Sequence, residues 1–285
     1  MIIVNIQNIK LKLPNKLHEL SLEKGIQIQE AIETNTLDDS LKISTLAMLM
    51  NVEVELIQLI NTSDMRDLFD KIEFITKDNN LAHFYNTFKL KGVEYGIVNM
   101  SDITVREYGE IEFYLNEGET YFSHLHKIAS ILYRPIIQKN KNLHHILING
   151  YNKIIHKNLK PLFYKSYEIS KFKETDLSRS SLFAAHLDFG FGYLVLNAVL
   201  NFKDSLRESY SLLYKSDEQL DLELEDQFKA EKILEFGDIW GMYHILLEIS
   251  KDLFERDYWL EKPVGELFKY LSYNKQKQLY YGERQ

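Results

Sequence analysis

The sequence predicts a mainly helical α+β fold, with small β-hairpins at the N-terminus and near residues 84–99, each followed by a helix pair, and a helical C-terminal region. Three observations predict it. Apolar residues alternate through Ile2, Val4 and Ile6 and again through Ile9, Leu11 and Leu13, the period of a half-buried strand. A second alternating stretch, Phe84, Phe88, Leu90 and then Val93, Tyr95, Ile97, folds back at Lys91-Gly92. Most other apolar residues recur at helical spacing behind Ser, Thr or Asp.

The first stretch reads as one strand, or two short ones with a slip near Asn8, and Pro14-Asn15 end it. Ser21 is an N-cap for a helix carrying Ile26, Ile28 and Ile32, and Asp38 or Asp39 caps a second through Leu41, Leu46, Leu49 and Met50. A third follows Asn51 with Val52, Leu56, Ile57 and Ile60, and a fourth carries Leu68, Phe69, Ile72 and Ile75. After the second hairpin, Thr104 opens a helix with Val105, Tyr108, Ile111, Phe113 and Leu115. Another carries Leu125, Ile128, Ala129 and Leu132 until Arg134-Pro135 stops it.

Leu20-Ser21-Leu22 aligns with Ile103-Thr104-Val105 at an offset of 83, and Leu46-Ala47-Met48-Leu49 with Ile128-Ala129-Ser130-Ile131 at 82. An internal duplication is one reading; chance likeness of amphipathic helices is the other. Ile136 to Tyr167 is poorly periodic and reads as an irregular insertion. A long helical region starts near Asp176 and runs to Leu206, with Gly190 and Gly192 marking a kink or close packing. After Gly237-Asp238 a helix runs from Trp240 to Phe254, and a last one follows Pro263 with Leu267, Leu271 and Leu279 inward. The organisation along the chain is therefore 1–78 (strand plus helices), 79–168 (hairpin, helix pair and basic insertion) and 169–285 (C-terminal helices).

The chain has 285 residues, 45% of them hydrophobic and 13% aromatic, which suits a packed fold with aromatic contact surfaces. The lack of cysteine excludes disulfides, thiolate nucleophiles and cysteine zinc sites, and fits a reducing compartment. The N-terminal stretch has no basic region followed by a continuous apolar run, so no signal peptide is expected. Apolar runs are interrupted by charges well before about 18 residues, so no membrane span is expected either.

Charge is segregated. From Thr120 to Tyr167 there is no Asp or Glu, while Lys127, Arg134, Lys139, Lys141, Lys153, Lys157, Lys160 and Lys165 are positive. The rest of the chain holds 26 basic and 42 acidic residues, a net −16. The densest acidic run is Asp217, Glu218, Asp221, Glu223, Glu225 and Asp226. In the basic segment, Lys153, Lys157 and Lys160 are interleaved with Tyr151, Phe163, Tyr164 and Tyr167. This mixture suits contact with an acidic protein surface, pairing with the acidic run of a neighbouring copy, or non-specific DNA contact; a solvated loop is the plain alternative.

Chemistry is hard to find. His124 and His126, two apart on a helix, face different ways, and His144-His145 has no third ligand nearby in sequence, so no metal is expected. His186 and Asp188 beside Ser180 and Ser181 would point apart on one helix and fit polar positions beside a core face better than a triad. No phosphate-binding, zincin, nucleophile-elbow or dinucleotide pattern occurs, and neither catalytic residues nor a cofactor is expected. An enzyme would need residues assembled from distant parts of the chain.

The stretch FKLKGVEYGIVNMSDITVREYGEIEFYL from Phe88 to Leu115, followed by LHKIASILYRP from Leu125 to Pro135, resembles proteins from the structural gene clusters of tailed phages of Bacteroidota hosts, including crAss-like phages. Ser181 to Phe191 and Phe236 to Gly241 look like two further shared segments. The resemblance implies a virion structural protein, a ring or connector of the tail or neck, assembled in the host cytoplasm from copies of itself and neighbouring virion proteins. A tail assembly chaperone that never enters the particle is the alternative it leaves open. It carries over no functional residue.

Overall fold

The computed structural model describes residues 1–6, 9–34, 39–75, 86–118, 120–139, 167–214, 245–247, 249–250 and 252–282. Its fold is mainly helical, with two antiparallel sheets. The expected slip near Asn8, Phe84, the cap at Asp38, most of the basic insertion, the acidic run and the start of the helix expected from Trp240 lie outside the described residues.

The first sheet is a hairpin of β1 (Ile2–Ile6) and β2 (Ile9–Leu13), with Ile2 opposite Leu13 and Ile6 opposite Ile9. Its alternation buries Ile6 and Leu13 and leaves Ile3, Lys10 and Lys12 exposed. A 3₁₀ turn, Leu17–Glu19, leads into α1 (Leu22–Thr34) and α2 (Asp39–Met50), followed by α3 (Val54–Gln58) and α4 (Thr62–Ile72).

The second hairpin, β3 (Thr87–Leu90) and β4 (Val93–Ile97), turns at Lys91 and Gly92, both at positive φ (45° and 85°), as a two-residue hairpin turn requires. A 3₁₀ turn, Met100–Asp102, leads into α5 (Val105–Glu117), then α6 (Leu125–Leu132). Here the structure corrects the sequence reading. Arg134-Pro135 does not simply stop a helix before an irregular stretch: α6 passes directly into β5 (Tyr133–Lys139), which pairs with β4, and β6 (Tyr167–Ile169) pairs with β5. The order is β3-β4-β5-β6, so the hairpin is part of a four-stranded sheet.

The long helical region expected from Asp176 is broken. A 3₁₀ segment, Glu174–Arg179, precedes α7 (Ser180–His186), and the chain is extended at Leu187 before α8 (Phe189–Ser209) and the short α9 (Ser211–Tyr214). Near the C-terminus Asp252 caps a separate α10 (Leu253–Leu260), so Leu253 and Phe254 open a helix rather than finish the one expected from Trp240. Last comes α11 (Val264–Gly282), which buries Leu267, half-buries Leu271 and carries Leu279 with its side chain outside the described set.

Contacts cluster into two compact units, residues 1–97 with 117–197 and residues 98–116 with 198–285. The first is centred on aromatic rings: Phe88 lies 5.3 Å from Tyr95, 5.2 Å from Tyr133, 5.6 Å from Phe183 and 5.3 Å from Phe191. In the second, Tyr108 meets Phe202 and Phe268 edge-on at 6.2 and 6.1 Å, over buried Val105, Ile111, Val264 and Leu267.

Each unit contains one junction of the same design. In the first, Leu22 N–H donates to the Leu187 carbonyl (2.7 Å) and Phe189 N–H to that of Leu20 (2.9 Å). In the second, Val105 N–H donates to the Lys262 carbonyl (2.8 Å) and Val264 N–H to that of Ile103 (2.9 Å). The helix start and the carbonyl it returns to recur 83 positions apart, and the interhelical break recurs 75 apart. The order hairpin, 3₁₀ turn, 13-residue helix, second helix therefore occurs twice, and the recurrence extends to the C-terminal helices, where the sequence reading saw none.

Candidate interaction surfaces

Of the residues expected at an interface, Lys153, Lys157, Lys160, Tyr151, Phe163 and Tyr164 lie outside the described residues, as do Asp217, Glu218, Asp221, Glu223, Glu225 and Asp226. Tyr167 is described, and it is engaged within its own unit. Its hydroxyl donates to the Asn86 carbonyl at 2.8 Å, with the Ile97 carbonyl also in reach at 3.1 Å, and its ring fills the space above Gly96. Burial pushes this phenol up to about 12, so it remains a donor across the ordinary pH range.

The described part of the acid-free segment is likewise put to structural use. Arg134 is buried in β5, Lys139 reaches Glu94 of β4 at 2.6 Å, and Lys127 lies 3.7 Å from Glu117. Its cations are thus partly neutralised by acids from elsewhere in the chain, a pattern that sequence-local charge counting does not detect.

The C-terminal helices also carry exposed apolar side chains. On α10 and α11, Leu253, Tyr258 and Tyr273 are exposed and Phe254 is 86% exposed. Tyr258 meets Trp259 edge-on at 5.7 Å and Trp259 meets Tyr270 at a tilt at 5.1 Å, with the Lys262 ammonium 4.6 Å from the Tyr258 ring centre. The signal was in the run LFERDYWL, which carries apolar residues around more than one helical face, so no single packing partner can cover them all. Solvent-facing aromatics of this kind characterise protein contact surfaces.

Several polar side chains make local structural contacts. Asp188 Oδ1 accepts from Phe191 N–H at 2.8 Å and so starts α8, while His186 ends α7. Glu107 and Thr104 form a reciprocal capping box at 2.9 and 3.3 Å. Arg179 holds Asp176 at 2.7 Å and the Ser130 carbonyl at 3.0 Å. His124 and His126 have ring centres 6.2 Å apart, and burial pushes His126 down to about 4, with the charges of His124 and Lys127 acting in the same direction. Among the described residues no three His, Asp or Glu side chains are grouped to hold a metal ion, and no described helix is long and apolar enough to cross a membrane. Comparison with known proteins finds no matching family model, curated protein or solved structure.

Proposed function

We propose that this chain is a non-catalytic assembly protein, and more specifically a virion structural protein of a tailed phage, a ring or connector component of the tail or neck. The observation that carries the assembly reading is the exposed apolar surface of α10 and α11, where Leu253, Phe254, Tyr258 and Tyr273 face solvent beside the edge-on and tilted contacts of Tyr258, Trp259 and Tyr270. Burying such rings against another protein supplies most of the free energy in an interface, whereas charges mainly set register and association rate. The phage assignment rests on the resemblance of Phe88 to Leu115 and Leu125 to Pro135. In this reading Thr120 to Tyr167 is an interface element that meets the run Asp217 to Asp226 of a neighbouring copy or another acidic virion protein.

An apolar surface of this kind serves a tail assembly chaperone equally well, and the two readings separate in one experiment. Mass spectrometry of purified virions is expected to find the protein in stoichiometric amounts. Its presence in infected cells but absence from particles would select the chaperone.

A further inference from the structure

The recurrence of hairpin and helices allows the two hairpins to be compared edge by edge. Shifted by 84 positions, β2 falls on β4, and both lead through a 3₁₀ turn into a 13-residue helix. The outer edge of β4 is covered by β5, with Tyr95 opposite Pro135, Gly96 opposite Arg134 and Ile97 opposite Tyr133. The corresponding edge of β2, at Leu11, Lys12 and Leu13, has no strand beside it among the described residues. The chain of α2 packs against β2 and leaves the helix after Met50. There it turns away at Asn51, whose φ of 60° ends the helix, and enters α3 instead.

The side chains at this edge state what would fit. In the second half Glu94 of β4 pairs with Lys139 of β5, and the Tyr167 ring occupies the space over Gly96. The equivalent residues of β2 are Lys10 and Lys12, both exposed. The charge is thus reversed, and a cation stands where the other half has an aromatic filling. Lysines on an open edge repel indiscriminate pairing and leave an acidic strand as the class of partner they admit. The opposite face of the hairpin is aliphatic, with Val4 and Leu11 half-buried and Leu13 fully buried.

We propose that the outer edge of β2 takes an extended strand from another protein chain, one that alternates acidic residues, facing Lys10 and Lys12, with aliphatic residues continuing the Val4–Leu11 face. Backbone hydrogen bonds along the edge hold the guest and the two lysines select it, the usual division of labour in strand addition. The inference deepens the assembly reading by naming the kind of segment a partner contributes, and it rests on that reading only for where the partner comes from.

The test uses the whole protein and a short synthetic peptide alternating leucine with aspartate or glutamate, against a control of the same composition with leucines and acids in separate blocks. It is run in parallel on a variant with Asp217, Glu218, Asp221, Glu223, Glu225 and Asp226 changed to their amides, so that the chain's own acidic run cannot compete. The alternating peptide is expected to bind and to slow amide hydrogen exchange in Ile9–Leu13. Binding should weaken roughly tenfold or more in Lys10→Glu/Lys12→Glu, whose circular dichroism and melting midpoint stay unchanged because both side chains are exposed. Equal binding of the blocked control, protection outside β2 only, or no binding to the amide variant would each overturn the proposal. None of these outcomes depends on whether the protein is found in virions.

Discussion

The two hairpin–helix halves share one order of elements as far as their second helices, and the residue that follows each second helix differs in backbone conformation. Met50 and Leu132 are the last helical residues of α2 and α6. The next residue is Asn51 at φ 60° in one half and Tyr133 at φ −103°, ψ 116° in the other. Asn tolerates the left-handed region because its short amide is compatible with it, and the chain doubles back; a β-favouring Tyr continues as a strand. The Val52 N–H closes the first ending by donating to the Ala47 carbonyl at 3.1 Å. The comparison teaches how far a helix terminus can redirect the chain: among the described residues one half continues from its second helix into a four-stranded sheet, and the other has a sheet of two strands.

The junctions offer a way to break the comparison, since they keep their hydrogen bonds while exchanging volume. At equivalent positions the first has Gly25 and Phe189 and the second has Tyr108 and Val264. A Cβ at Gly25 would lie 2.0 Å from Phe189 Cγ, so Gly25→Ala forces the ring out of place. The expected cost is roughly 1–3 kcal/mol of overpacking, reduced by the roughly 1 kcal/mol that alanine gains over glycine in a helix. Adding Phe189→Val, the residue type of the other junction, should make the pair non-additive, with the double variant recovering part of the loss. Urea midpoints of the four proteins check this. Strict additivity would mean that the two junctions share hydrogen bonds but no packing logic.

This contrast also shows what could be read from sequence. Ser21, Thr104 and Lys91-Gly92 were legible because each acts on backbone within three residues of itself. β5 was not, because its partner is β4, nearly forty residues earlier in the chain, and its second residue is a buried arginine that reads as surface. The break at Leu187-Asp188 was hidden inside an apolar run, although aspartate is among the best N-caps. At the candidate interface, Tyr167 stands out in sequence by its basic neighbours, while its contacts with Asn86, Gly96 and Ile97 come from far away in the chain and are not readable there. The aromatic surface of α10 and α11 was present in the sequence as an excess of apolar residues, and only the packed structure shows which of them are left outside.

The caps sharpen the comparison with a smaller effect. Thr104 and Glu107 satisfy each other's backbone N–H groups, and Glu107 is buried. At the equivalent site Ser21 accepts from Lys24 N–H at 3.3 Å, but lysine has no acceptor with which to return the bond. Thr104→Ala should therefore cost about 1–2 kcal/mol and Ser21→Ala about 0.5–1 kcal/mol. Denaturant unfolding of the two single variants reads the difference, and equal costs would show that the reciprocal bond adds nothing.

The last difference between the halves shows itself only in acid. His126 of α6 corresponds to Ser44 of α2, whose hydroxyl donates to the Ser40 carbonyl. Burial pushes His126 down to about 4 from 6.5; His124 and Lys127 disfavour its charged form further, and only Glu30 favours it. Between about pH 6.5 and 4 the unfolded chain binds a proton at this site that the folded chain does not. Stability therefore falls as pH drops through that window and levels off, for this group, below it. The ring is only partly buried, so solvent screening keeps the effect modest. His126→Ser, which installs the residue of the other half, should leave a shallower loss of stability between pH 6.5 and 4 than the parent shows, whatever it does to stability at neutral pH. The comparison is made on the slopes of unfolding free energy against pH, because carboxylates elsewhere titrate in both proteins and cancel in the difference. Parallel slopes would mean that His126 is protonated as readily folded as unfolded, and that the halves do not differ in their response to acid at this position.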